Sequence, residues 1–64
     1  MITITYTGYS VHPEYRNTWR ESGSHLIGMG FTCDRQEYDD EDNVTAAHYH
    51  HKVNTEWTAT ARTA

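Results

Sequence analysis

Leu, Ile, Val and Phe together number only eight in this 64-residue chain. A domain of about 60 residues hides only about 60% of the surface its unfolded chain exposes, so its stability is marginal. Five Tyr, two Trp and two Met supply the remaining large apolar-bodied residues. Aromatic side chains bury large areas, and a core built on them suits a chain this short. The chain is therefore read as one folded domain over residues 1–64 with an aromatic core. The lone cysteine, Cys33, excludes an intrachain disulfide and with it the small secreted disulfide scaffolds.

The hydrophobic pattern predicts a small α+β fold: an antiparallel sheet of three or four strands with one or two short helices on its apolar face, or a mostly β variant of it. Ile2, Ile4 and Tyr6 alternate with Thr3, Thr5 and Thr7, the period of a half-buried strand. Gly8 ends or bulges it. Residues 13–21 fit either a helix begun at Pro13, with Val11, Tyr15 and Trp19 on one stripe, or a strand through Tyr15, Asn17 and Trp19. Ser22-Gly23-Ser24 reads as a turn. A second strand is expected over residues 25–33, placing Ile27, Met29, Phe31 and Cys33 on one apolar face and leaving Cys33 as inert packing. Over residues 43–52 the spacing of Val44, Ala47, His48 and His51 favours a helix over a strand. Residues 53–59 alternate as a strand with Trp57 inward, facing Phe31, and Thr60 to Ala64 is expected to fray.

Charge is unevenly placed. Asp34, Glu37, Asp39, Asp40, Glu41 and Asp42 fall in nine residues with one base, Arg35, whereas the remaining residues hold three acids and four bases. An overall basic surface for direct contact with nucleic acid is thereby excluded. The acid run is either a solvated segment that maintains solubility or a docking face for a basic partner. On a helix its carboxylates at i, i+3 and i+4 would stand about 5–6 Å apart, a spacing suited to a groove that holds phosphates. Tyr38 is the aromatic anchor within it.

Five histidines offer a second candidate. His48 and His51 share a helical face, and Cys33 or His25 would complete a zinc set, although no Cys-x-x-Cys spacing accompanies them. The alternative is that they are polar positions on an amphipathic element. His48 and His50 would share a face on a strand. Arg16, Arg20, Tyr15 and Trp19 form a small basic-aromatic set of the kind that stacks on single strands, opposed by the acids. No nucleophile–base motif, cofactor loop or paired-carboxylate cleft is present, so the chain is expected to be no enzyme and to need no cofactor or small-molecule substrate. MITITYTGYS is no signal peptide, and no apolar run approaches the roughly 20 residues of a membrane span, so a cytoplasmic location is expected. Asn43-Val44-Thr45 fits a glycosylation sequon, read as chance without a secretion signal.

In size, single-domain organisation and the patch EYDDED at 37–42, the chain resembles the small acidic inhibitors that phages encode against host defence, of the anti-CRISPR and anti-restriction type. The resemblance is one of kind across the whole chain. It implies a stoichiometric blocker of a basic nucleic-acid-binding protein, active in the host cytoplasm through phosphate mimicry or occlusion. A metal-dependent regulatory module and a structural or assembly component are the competing readings.

Overall fold

The computed structural model describes residues 1–63. Five antiparallel strands and one helix follow one another as β1 (Ile2–Thr7), β2 (Glu14–Arg16), α1 (Trp19–Gly28), β3 (Phe31–Tyr38), β4 (Val44–His51) and β5 (Thr58–Thr63). They form a single sheet in the order β2-β1-β5-β4-β3. The expected antiparallel sheet with a helix on its apolar face is present, with more strand and less helix than the pattern suggested.

The alternation in β1 sets the two faces. Ile2 lies opposite Thr63, Ile4 opposite Ala61 and Tyr6 opposite Ala59 on β5. Ala61 in turn faces Ala47, and Ala59 faces Tyr49, on β4. Directly opposed residues share a face. Ile2, Ile4, Ala47, Tyr49, Ala59 and Ala61, with Phe31 and Leu26, make the core. Alanines occupy the middle of the two central strands, and the large residues stand around them. Small residues there leave room for α1, whose buried positions are Ser22 and Leu26. Tyr6, Trp19, Met29 and Trp57 close the core from its margins. On the opposite face Thr3, Thr5, Thr7, Thr58 and Thr60 run beside His48, His50 and Arg62, with no helix or strand over them among the described residues.

Residues 22–24 are helix, not a turn. Thr18 is the N-cap, its Oγ1 accepting from Glu21 N at 3.1 Å. Thr18 and Glu21 stand at the spacing of a capping box, and Glu21 adds charge to the positive end of the helix. Ser22 Oγ donates to Thr18 O at 3.2 Å, which satisfies its buried hydroxyl inside the helix. Gly23 places bare backbone over Tyr49, whose hydroxyl lies 3.6 Å from where a Cβ would stand. The strand expected over 25–33 is therefore the end of α1, a turn, and the start of β3. Ile27, expected on an apolar strand face, is 61% exposed on the helix.

The segment expected as a helix over residues 43–52 holds the strand β4, Val44–His51. Its hydrophobic partners decide this: Ala47 and Tyr49 meet Ala61 and Ala59 across β5, a non-local pairing invisible to a helical spacing of Val44, Ala47 and His51. Residues 60–63 are not frayed but belong to β5, which lies between β1 and β4. Ala64, also expected to fray, lies outside the described residues. Trp57 sits in the turn before β5, half-buried, with Tyr9 and His51 against its ring at centroid distances of 5.0 Å. It does not face Phe31 from a strand. Over residues 13–21 the structure resolves the ambiguity by dividing the segment, with β2 ending at Arg16 and α1 beginning at Trp19.

Candidate functional site

The acid run does not lie on a helix. It follows the outer strand β3 and the hairpin that joins it to β4. Two irregularities shape this region, one where Asp34 is an extra residue between Cys33 and Arg35, the other between Glu37 and Tyr38. Beyond Tyr38 the chain turns through Asp39–Asn43. Asp39 N donates to Asn43 O at 3.0 Å, and Asp42 N donates to Asp39 O at 3.1 Å. Asp42 takes φ 63°, a left-handed conformation that Asp tolerates better than most side chains.

The six acids have different situations. The Asp39 carboxylate accepts from Glu41 N at 2.8 Å and from Asn43 N at 3.0 Å. The backbone N–H groups of Asn43 and Glu41 hold it below the usual carboxylate range, so it is ionised and fixed to the turn. Glu37 accepts from His48 Nε2–H, and this bond, aided by the nearby Arg62 and Arg35, holds its carboxyl low. Asp34 accepts from His50 Nδ1–H. Asp40, Glu41 and Asp42 are exposed at the hairpin tip, with none of their carboxylates in a hydrogen bond among the described residues. Tyr38 is 57% exposed at the base of the tip, its hydroxyl donating to Gln36 Oε1 at 2.7 Å.

The histidines are divided by the pleat. His48 and His50 point to the face opposite α1, each against a carboxylate from β3. His51 points to the α1 side, so His48, His51 and Cys33 are not brought together. Among the described residues no group of three or more His, Cys, Asp or Glu could hold a metal ion. His51 is part of the fold. Its Nδ1 accepts from Val53 N at 3.2 Å and Asn54 N at 3.0 Å, and its Nε2–H donates to Met29 O at 3.1 Å. Its ring meets Phe31 and Trp57 edge-on, with centroids 5.1 and 5.0 Å away. Gly30, with φ +96°, passes so close that a Cβ would lie 2.8 Å from His51 Nε2. Cys33, expected to be buried packing, is exposed, because α1 ends short of this part of β3.

One cluster had no signature in the sequence. Glu14 on β2 meets three elements: it accepts from the Tyr6 hydroxyl of β1, lies 3.6 Å from Arg16 NH2, and lies 3.1 Å from His25 Nε2 of α1. That last contact is close but off the line a hydrogen bond needs, and His25 Nε2 has no aligned partner among the described residues. Burial and the Glu14 hydrogen bond push the Tyr6 hydroxyl well above its usual value. Tyr6 and Glu14 stand eight residues apart in sequence and become neighbours only when β1 and β2 pair. The cluster ties the short strand β2 to the helix. Arg16, a member of the basic-aromatic set suggested by the sequence, faces this carboxylate with one guanidinium nitrogen and donates to Tyr15 O with the other.

Among the described residues no helix is long and apolar enough to cross a membrane. Comparison with protein-family models, with curated proteins and with solved structures gives no match.

Proposed function

We propose that the chain is a non-enzymatic interaction module that docks its acidic hairpin on a basic, nucleic-acid-binding protein and keeps nucleic acid off that surface. One observation carries this reading: Asp40, Glu41 and Asp42 project together from the end of a hairpin whose turn is fixed by Asp39. Asp39 shapes the display, and the other three present it. A preorganised cluster of like charge loses little freedom on docking and steers itself toward a groove of opposite sign. Tyr38 supplies contact area beside the charges. Asp34 and Glu37 are secondary, because each already faces a histidine. The same reading makes the chain an inhibitor of the anti-CRISPR or anti-restriction kind, working in the cytoplasm where such effectors act.

The test is capture from a nuclease-treated bacterial extract on the immobilised protein, with two controls. The triple variant Asp40→Asn, Glu41→Gln, Asp42→Asn removes three charges, keeps the Asp39 turn and leaves Asn at the left-handed position, which it tolerates. The expected result is a captured nucleic-acid-binding protein that the triple variant fails to retain and that duplex DNA displaces. Capture indifferent to both the variant and the DNA would overturn the proposal.

A further inference from the structure

The sheet ends on unequal edges. On one side β2 is three residues long and is tied to α1 through Glu14. On the other side β3 runs for eight residues and, among the described residues, has only β4 as a strand partner. Its sequence, FTCDRQEY, contains no Pro or Lys, two of the usual protections of an open edge. Cys33, Asp34, Arg35, Gln36 and Tyr38 are exposed along it. The irregularities at Asp34 and between Glu37 and Tyr38 are further protections, but they flank a regular stretch and leave it intact. Arg35, Gln36 and Glu37 pair in unbroken register with His48, Ala47 and Ala46.

That regular stretch is self-complementary. An antiparallel pairing with a two-fold axis at Gln36 sets Arg35 of one copy opposite Glu37 of the other, and Glu37 opposite Arg35. Both side chains lie on the face opposite α1, because their partners His48 and Ala46 do. Within one chain Arg35 NH1 and Glu37 Oε2 stand 3.9 Å apart, with both side chains substantially exposed. Directly opposed strand residues have Cβ atoms about 4.5–5.5 Å apart, and opposite charges there stabilise the pairing while like charges oppose it.

We propose that a second copy of this chain pairs with the free edge of β3 about Gln36, joining two five-stranded sheets into one of ten strands with reciprocal Arg35–Glu37 contacts. The interface is isologous, the usual form of a closed homodimer. It rests mainly on backbone hydrogen bonds and two charge pairs. It buries less than the roughly 1,200 Å² of a standard stable interface, so the association is concentration-dependent. It places the two acidic hairpin tips at opposite ends of the paired strands. At about 3.4 Å per residue the tips stand on the order of 30 Å apart.

The experiment is sedimentation equilibrium over a wide range of protein concentration, with far-ultraviolet circular dichroism confirming that each protein is folded. The wild-type chain is expected to rise from 7.4 kDa toward twice that mass as concentration increases. R35E sets Glu opposite Glu, and E37R sets Arg opposite Arg, so each alone stays monomeric. Mixed in equal amounts they restore both opposite-charge pairs and form a heterodimer. Both variants keep a net negative charge, so bulk attraction does not produce that result. A wild-type chain that remains monomeric overturns the proposal. So does a dimer that both variants retain, or a mixture that stays monomeric. The hairpin triple variant leaves this edge untouched and should dimerise as wild type does, which separates this test from that of the acidic tip.

Discussion

Replacing His51 by Ala is expected to be among the most damaging single changes to a polar side chain in this protein. The ring accepts two backbone N–H groups and donates to the Met29 carbonyl. Val53 N is exposed, and water replaces its partner at little cost. Asn54 N and Met29 O are partly enclosed, and each lost hydrogen bond there costs about 0.5–1.5 kcal/mol. The edge-on contacts with Phe31 and Trp57 contribute about 0.5–1.5 kcal/mol each. Together the loss is about 2–6 kcal/mol, centred near 4, against a total stability of roughly 3–10 kcal/mol for a domain of this length. At about 4–8 °C per kcal/mol, the midpoint falls by roughly 15–30 °C. His51→Phe retains a ring between Phe31 and Trp57 but not the hydrogen bonds, and should lose about half as much. His48→Ala is the comparison, since its imidazole meets only an exposed carboxylate and its loss should cost about 0–1 kcal/mol. Urea and thermal unfolding of the four proteins check this ranking. If His51→Ala unfolds within 1 kcal/mol of His48→Ala, the ring is not the support that its contacts describe.

Glu14 gives a pH-dependent effect with a definite sign. The Tyr6 hydroxyl, then His25 and Arg16, hold its carboxyl below its ordinary value of 4.5 against the opposing influence of partial burial. A carboxyl lower in the folded state stabilises fully above the unfolded value, and that contribution disappears as pH falls through the folded value. Glu14→Gln should therefore cost on the order of 1 kcal/mol at pH 7 and progressively less toward pH 3, measured by urea unfolding; an equal gap at both pH values would show that the charge of Glu14 is irrelevant. In the core, Phe31→Ala should cost about 3–5 kcal/mol and Trp57→Ala about 1–3 kcal/mol, because Phe31 is fully enclosed and Trp57 is a half-buried turn residue. Equal losses in the two unfolding curves would contradict that difference in packing.

What the residues disclosed depended on how local each interaction is. The alternation of Ile2, Ile4 and Tyr6 was legible because a half-buried strand imposes its period on neighbouring residues. The helix was missed although Thr18 and Glu21 mark its start, because Gly23 between two serines has the composition of a turn. Tyr49, 26 residues further on, would only touch a Cβ there at ordinary contact distance, so the helix accepts this glycine without requiring it. Val44 to His51 fits both periods, and its choice is made by Ala59 and Ala61 on β5. Residues 60–63 have no large aliphatic residue and read as a tail, yet small side chains such as Ala61 are what a central strand beneath a helix requires. Among site residues, the acid run was visible as charge. Its division into a turn-forming Asp39, two histidine-bound acids and three free ones was not, because His48 and His50 come from β4 and the N–H groups that hold Asp39 converge only once the turn has formed. The Tyr6–Glu14–His25 cluster joins three elements and leaves no local pattern at all.

The position of β5 also governs how the chain reaches this structure. β3 and β4 are joined by a five-residue turn and can pair by local search. β1 finds β2 across a short loop. Neither pair completes the sheet, because β5 must enter between β1 and β4, and its bonds to β1 span most of the chain, as the Thr5–Thr60 contact does across 55 positions. Closing so long a loop is entropically costly until both neighbours are in place. Folding is thus expected to be limited by one late, non-local insertion, at a rate in the slower range of small domains rather than that of helical bundles. The β3–β4 hairpin, with its turn fixed by Asp39, is the unit best able to take shape ahead of that step.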